Sequence, residues 1–297
     1  MPKIPIYFII LSIIGVILII KYVFLFLKFI IKYILSPCCK NNLKRKYGDG
    51  FVIITGGSRG IGFSFAKEFL KAGFKVCLIS SNKEKLDKAR DELLDLFPFS
   101  VIKIIDFNLG QFYTEETINE LKQRIDNEFE NEDISILFNN AGAFIDEKFD
   151  LTPEKGITNL LNVNICGLTI LTKIIIEYMK KWLYKSLIIG SGSNGARLIS
   201  HNRIVYCSSK LYVQGFYEGL ALDFPDKFDF TLIEVGPVKT DMNKKDYPCS
   251  CSPDDFASEC INLVGRYNYI QGCKKHAFLS GLISIPFVRC LIRCIDK

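Results

Sequence analysis

The chain has 297 residues, 49% of them apolar, and a formal net charge of +6. That length suits one α/β domain with an appendage, and a small charge surplus gathered behind the first apolar segment leaves no footprint for a nucleic-acid partner. Eleven scattered cysteines, an odd number, do not make the framework of a small secreted disulfide domain; they read as mostly reduced and the main domain as cytosolic.

The first element is apolar. No charged residue occurs from Ile4 to Ile20; Tyr22 to Leu27 is apolar again after Lys21, and only single lysines interrupt up to about Leu35. About 20 apolar residues span a bilayer as a helix, and a lysine near the interface can snorkel, so residues 1–35 are read as a membrane anchor. A cleaved signal peptide fits less well, because no Ala-x-Ala-like site precedes Ser36. Lys3 alone precedes the segment, while Lys21, Lys28, Lys32, Lys40, Lys44, Arg45 and Lys46 lie within or behind it. The positive-inside rule then places the rest of the chain in the cytosol. Residues 36–49 read as a basic juxtamembrane linker, whose Cys38 and Cys39 are either palmitoylation sites or plain cysteines beside the membrane.

From residue 50 strands and helices alternate. Strands are predicted at 51–55, 75–80, 101–105, 134–138, 186–189 and 230–235. Helices are predicted at 61–72, 83–96, 115–130, 153–181 and 206–223. Short apolar runs separated by helices imply βαβ units and a parallel sheet covered on both faces, a doubly wound Rossmann arrangement. The domain is taken to run from 50 to 297 and to end in an apolar stretch, Ala277 to Ile295, broken by Pro286 and carrying Arg289 and Arg293. That stretch fits a membrane contact, a substrate-tunnel wall or a late strand and helix packed on the core. Cys249 and Cys251 form a Cys-x-Cys pair, but the chain holds only two histidines; they read as loop cysteines, and no metal is expected.

The first strand runs into Thr55-Gly-Gly-Ser-Arg-Gly-Ile-Gly62. Glycines between a strand and a helix allow a tight turn, close backbone approach and a helix N-terminus aimed at an anion. Their spacing departs from the usual dinucleotide fingerprint. Tyr206 and Lys210 are four apart on a helix and share a face. A free phenol has a pKa near ~10, and a neighbouring cation favours the phenolate, so Lys210 is expected to lower it.

Taken together, Thr-Gly-x-x-x-Gly-x-Gly, Asn139-Asn-Ala-Gly142 and Tyr206-Cys-Ser-Ser-Lys210 resemble the signature of the short-chain dehydrogenase/reductase family. The resemblance covers about Gly50 to Asp241. It implies Asn164, Ser193, Tyr206 and Lys210 as the catalytic group: Tyr206 exchanges the proton, Ser193 orients the substrate oxygen, Lys210 also holds the nicotinamide ribose, and Asn164 supports a water-linked relay. Ser191 rivals Ser193, which is favoured on spacing. The resemblance also implies a cofactor site made by Thr55, Gly56, Ser58, Arg59, Gly60, Ile61, Gly62, Asp106, Asn139, Ala141, Gly142, Tyr206, Lys210, Gly236, Val238 and Thr240. Val235 stands where relatives carry proline. The end of the second strand, Ile79-Ser-Ser-Asn-Lys83, lacks the acid that holds the ribose of NAD, and Arg59 suits a 2′-phosphate, so NADP(H) is expected.

Within the family, Leu78 to Leu86, Asn162 to Ile165 and Ser252 to Phe256 resemble microsomal very-long-chain 3-oxoacyl-CoA reductases and their 17β-hydroxysteroid dehydrogenase kin. This implies a lipophilic small-molecule substrate, a membrane location (endoplasmic reticulum, catalytic domain toward the cytosol) and reduction of a long-chain 3-ketoacyl-CoA in fatty-acid elongation. The alternatives are 3-ketodihydrosphingosine reduction, steroid or retinoid dehydrogenation, and an inactive membrane-tethered NADP-binding module. Relatives commonly form homo-oligomers.

Overall fold

A computed structural model of the protein describes residues 5–38, 41–196, 201–243, 247 and 249–285. The chain divides into two units, residues 1–41 and 42–297. In the first, the uninterrupted apolar run forms helix α1 (Ile6–Phe29), continued by a π-helical turn (Ile30–Leu35) and a tight turn (Ser36–Cys38). The helical stretch Ile6–Cys38 is long and apolar enough to cross a membrane, and its most apolar part is unburied.

The second unit opens with a short helix, α2 (Leu43–Tyr47), capped by the Asn42 side chain. These residues lie in the stretch read from the sequence as linker, yet Leu43 and Tyr47 are buried. The Tyr47 hydroxyl donates to Asp229 at 2.8 Å, and Trp182 Nε1 donates to the Tyr47 carbonyl at 2.8 Å.

Among the described residues seven parallel strands follow: β1 (Phe51–Thr55), β2 (Val76–Ser80), β3 (Ile102–Asp106), β4 (Ile134–Asn139), β5 (Ser186–Ser193), β6 (Phe228–Val235) and β7 (Tyr269–Ile270). Their order in the sheet is β3-β2-β1-β4-β5-β6-β7. The helices between them are α3 (Gly60–Lys71), α4 (Lys83–Leu96), α5 (Glu115–Phe129), α6 (Glu154–Leu161), α7 (Leu168–Met179) and α8 (Ile204–Asp223). Helices α9 (Pro253–Cys260) and α10 (Lys274–Ile283) flank β7.

Side chains alternate across a strand, so β1 feeds both faces. Phe51 and Ile53 join Leu121, Ile125, Leu171, Ile175 and Val213 in one core. On α3, Phe65 packs against Phe138 at 4.7 Å and Phe256 at 6.4 Å between ring centroids. Burial on both faces explains why β1 reads as an unbroken apolar run from Phe51 to Ile54 and β4 as one interrupted only by Ser135 before Asn139. The helical stretch 154–179 is also apolar enough for a membrane span, but half of its most apolar part is buried. Leu171, Ile174 and Ile175 lie in the core, and the stretch is a core element.

Strand order reverses between β1 and β4, and in such sheets ligands bind outside the carboxyl ends of the strands at this point. A cleft of about 610 Å³ lies there, lined by the loops after β1, β2, β3, β4 and β6 and by Tyr206 and Lys210 of α8. The tail from 286 onward, expected from the sequence as an apolar element, lies outside the described residues; Lys274 to Ile283 of that region is helical, with Ala277 buried.

Candidate active site

The floor of the cleft is the turn from β1 to α3. Gly56 and Gly60 hold φ of +63° and +57°, conformations that cost a residue with a Cβ. A Cβ on Gly62 would lie 2.4 Å from the Gly56 carbonyl oxygen, so this glycine lets helix and turn close on each other. The residue at the start of α3, Arg59, does not cap it with its side chain, which leaves the first N–H groups suited to an anion. Gly56, Ser58, Arg59, Gly60 and Ile61 line the cleft.

Thr55 and Asn140 lock this turn to the loop after β4. The Thr55 hydroxyl accepts from the N–H groups of Asn140 and Ala141, each at 2.9 Å, and Asn140 Nδ2 donates to the Thr55 carbonyl at 2.9 Å. Ala141 and Gly142 line the cleft. Asn139, expected as a cofactor contact, corrects that expectation. Its Nδ2 donates to Thr172 at 2.8 Å and Tyr217 at 3.0 Å, and the residue is buried. It shares a strand face with Leu137, two residues earlier, and so points into the core. Asn140 is the asparagine that faces the turn.

At the end of β2, Ser80 and Ser81 line the cleft, and Ser58 donates to Ser80 at 3.3 Å. Arg59 reaches over the cleft to Asp241, 2.7 Å away, with both side chains exposed. Asp106 ends β3, where its carbonyl accepts from Arg124 at 2.6 Å; the cleft wall begins one residue later, at Phe107. Beyond β6, Val235, Lys239 and Thr240 line the cleft, whereas Val238 is buried behind it and Gly236 packs against His276.

At the inner end of the cleft lie Tyr206 and Lys210. Lys210 Nζ sits 5.9 Å from the Tyr206 ring centre and donates to the Ser191 carbonyl at 2.8 Å. Burial lowers the lysine to about 8. Burial also raises the Tyr206 phenol above its usual value, while a hydrogen bond with Ser193 and the charge of Arg203 pull it down. The expectation that Lys210 sets this phenol therefore needs correcting. Desolvation dominates, and the lysine's proton is directed to a carbonyl. A phenol that keeps its proton is suited to donate it. The two serine candidates separate here: Ser193 bonds Tyr206, whereas Ser191 offers its carbonyl to Lys210, and its own hydroxyl has no partner among the described residues.

Asn164 sits in a π-helical turn, Asn162–Gly167, between α6 and α7, a distortion common at functional sites. Its Oδ1 accepts from Ala143 N–H at 2.8 Å, and its Nδ2 donates to the Ala143 carbonyl and the Ser209 hydroxyl, both at 3.0 Å. A Cβ on Gly142 would lie 3.5 Å from Asn164 Oδ1 and 3.7 Å from Lys210 Nζ, so both groups converge on this glycine. Phe144 packs edge-on to Tyr206 at 4.9 Å, and Arg203 makes a two-point ion pair with Asp146.

Sequence reasoning had not singled out Asn140, Ser80, Ser81, Lys239 or Asn108, which lines the cleft beyond β3. The first three were accessible to it: Asn140 by strand parity, the serines by their position at the carboxyl end of β2. Asn108 and Lys239 carried no signal.

Residues 50–248, which hold every one of these groups, match the short chain dehydrogenase family. The chain belongs to that family. It is an oxidoreductase, and its dehydrogenase domain is 29% identical over 243 residues to a very-long-chain 3-oxoacyl-CoA reductase of Anas platyrhynchos, covering 79% of this chain and 75% of that protein. It is 28% identical over 250 residues to a 17-beta-hydroxysteroid dehydrogenase type 3 of Danio rerio, covering 80% and 77%. Among solved structures, a short chain dehydrogenase from Pseudomonas syringae superposes with a TM-score of 0.67 at 20% identity, covering 78% of this chain and 97% of that one. One from Sphingobium yanoikuyae in complex with NADPH gives 0.63 at 22% identity, covering 71% and 83%. These likenesses show that the dehydrogenase fold is shared.

Proposed function

We propose that this short chain dehydrogenase is a membrane-anchored, NADPH-dependent reductase of long-chain 3-ketoacyl-CoA, with its catalytic domain in the cytosol at the endoplasmic reticulum. The observation that carries the reductase reading is the half-buried Tyr206, its phenol bonded to Ser193 at the inner end of the glycine-floored cleft.

The cleft fits a dinucleotide. Gly56 and Gly60 let the loops after β4 and β6 close on the turn, since a Cβ would lie 3.1 Å from Ala141 and 3.3 Å from Thr240, and the uncapped start of α3 suits a phosphate. Ser58, Arg59, Ser80 and Ser81 would hold a 2′-phosphate, and no carboxylate follows β2 to repel it. When bound, the nicotinamide supplies the hydride. The chain's own residues do the rest. Ser193 and Tyr206 hydrogen-bond the substrate carbonyl oxygen, and Tyr206 gives it a proton as negative charge develops. Lys210, cationic at neutral pH, faces the same oxygen's surroundings and the cofactor ribose, and Asn164 holds the Ala143 loop that closes this end.

A lipophilic substrate is supported by the apolar helix Ile6–Cys38 and by the exposed Phe149, Leu151, Ile204 and Met242. Phe149 and Ile204 flank Tyr206 in a small crevice, and Met242 lines the cleft. The acyl-CoA class is supported by the avian relative.

The test is NADPH oxidation by membranes carrying the full chain, with a long-chain 3-ketoacyl-CoA. Tyr206→Phe is expected to lower kcat about 10²–10⁴-fold while NADPH binding persists. Turnover of a 17-ketosteroid or of 3-ketodihydrosphingosine in place of the thioester would move the substrate, and no turnover of any ketone would refute the enzyme reading. Release from membranes by alkaline carbonate would refute the anchor.

A further inference from the structure

Helix α10 presents His276, completely buried, to the loop that follows β6. The ring lies against Gly236: a Cβ on that glycine would sit 2.6 Å from His276 Cδ2 and Cγ. His276 Nδ1 accepts from the Gly236 N–H at 3.3 Å, and Nε2 lies 3.1 Å from the Pro237 carbonyl oxygen. A carbonyl only accepts, so Nε2 carries the proton and the imidazole is neutral. One ring thus engages two consecutive residues of the loop, on a donor and an acceptor.

The loop is also held from its far side. Cys251 N–H donates to the same Pro237 carbonyl at 3.3 Å, and Lys239 N–H donates to the Cys251 carbonyl at 3.0 Å. One turn along α10, Ser280 donates to Asn194 Oδ1 at 3.1 Å, and Asn194 is the neighbour of Ser193. Helix α10 therefore ties the loop after β6 to the segment that bears Ser193. Val235 stands at the entry of this loop, where a proline would fix φ; here the constraint comes from outside the loop.

We propose that His276 is a positioning residue that sets the Gly236–Thr240 loop, and with it the nicotinamide end of the cofactor, by clamping Gly236 and Pro237. The inference rests on the NADPH reading of the cleft given above. A competing use of the same ring is metal ligation, since Cys251, Cys273 and His276 offer ligand atoms within 4.8 Å of one another. Cys251 Sγ lies 3.7 Å from Nε2 and 3.8 Å from Cys273 Sγ. Both ring nitrogens, however, already face backbone groups, and a metal on Nε2 would place a proton on Nδ1 against the Gly236 N–H.

The experiment compares wild type, His276→Ala and His276→Gln as full chains in detergent micelles. It measures the Kd of NADPH, the inhibition or binding constant of 2′,5′-ADP, and kcat with 4-deuterated against ordinary NADPH. The nucleotide 2′,5′-ADP carries only the adenosine end. For His276→Ala the expected result is an NADPH Kd raised about tenfold, kcat lowered about 10- to 100-fold with a larger deuterium effect, and 2′,5′-ADP binding within about twofold of wild type. His276→Gln, which can still donate toward Pro237, is expected to recover part of the loss. Gly236→Ala intrudes on the ring from the opposite side and is expected to give the same split, so the outcome does not hang on the folding of one variant. Equal weakening of NADPH and 2′,5′-ADP, or no weakening of either, would overturn the inference. So would one zinc per purified wild-type chain that is lost in His276→Ala. Wild type that binds NADPH yet reduces no ketone would refute the proposed function alone, because the ratio of the two binding constants still decides the role of His276.

Discussion

Lys210 is held buried with its pKa lowered from 10.5 to about 8, and this gives a stability test that needs no substrate. Below pH 8 the lysine is protonated in both the folded and the unfolded chain, and the folded state bears the whole cost of burying the charge. Between about 8 and 10.5 the folded lysine has released its proton while the unfolded one has not. The unfolded chain then binds more protons, so stability rises with pH across that window. At ~1.4 kcal/mol per pH unit the gain is roughly 3 kcal/mol, a sizeable part of a typical folding free energy of about 5–15 kcal/mol. Lys210→Met keeps much of the volume and cannot titrate. The assay is chemical unfolding of the cofactor-free full chain in micelles at several pH values from 7 to 11, for both proteins. Tyrosine and cysteine ionisations are common to the two and cancel in the difference. The gap is expected to move toward wild type by roughly 3 kcal/mol as pH rises through the window. Parallel curves would refute the reasoning, because they would mean the lysine is solvated or its charge compensated.

Ser193→Ala is expected to lower kcat about 10²-fold by removing the hydroxyl bonded to Tyr206, whereas Ser191→Ala keeps the carbonyl that Lys210 uses and should cost far less; equal losses would show that both hydroxyls meet the substrate. Asp241→Asn frees Arg59 from its partner across the cleft, so the KM for NADPH should fall several-fold at low salt with that for NADH unchanged. A rise would mean that the ion pair itself shapes the site. Asn139→Leu removes the amide that donates to the hydroxyls of Thr172 and Tyr217, which keep their own bonds to the Leu168 and Ile189 carbonyls, and urea unfolding should show a loss of about 1–3 kcal/mol for the two bonds. A large change in NADPH affinity without a stability loss would return Asn139 to the cofactor.

The sheet was legible because parallel strands buried on both faces are predominantly apolar, as Phe51–Ile54 and Val76–Ile79 are. Strand 51–55 and helix 83–96 fall on the residues expected. Strand β5 runs four residues past its expected end, through Gly190-Ser-Gly-Ser193, because eight residues of pairing with β6 outweigh poor strand propensity. The two-residue β7 and the helices around it carry too little periodicity to be read. In the site, the order of motifs located the cleft, but side-chain direction was lost where parity was ignored, as with Asn139. The phenol's environment was misjudged for a different reason. Helical spacing puts Lys210 beside Tyr206, yet burial and the lysine's carbonyl partner depend on β5, which the helix pattern does not mention. His276 lies 40 residues from Gly236, and nothing local to either announces the other.

The π-helical turn at Asn162–Gly167 lets one continuous helix carry two phases. An inserted residue advances the side chains by about 100°. Upstream and downstream of that step the apolar stripe can be set independently, so α7 keeps Leu171, Ile174 and Ile175 on the sheet while Asn164 is presented to the Ala143 loop. The site and the core are thereby decoupled within one element. Substitutions that tune the polar end need not disturb the packing of the other, whereas removing a single residue would let the turn close to an ordinary α-helix and withdraw Asn164 from the Ala143 loop.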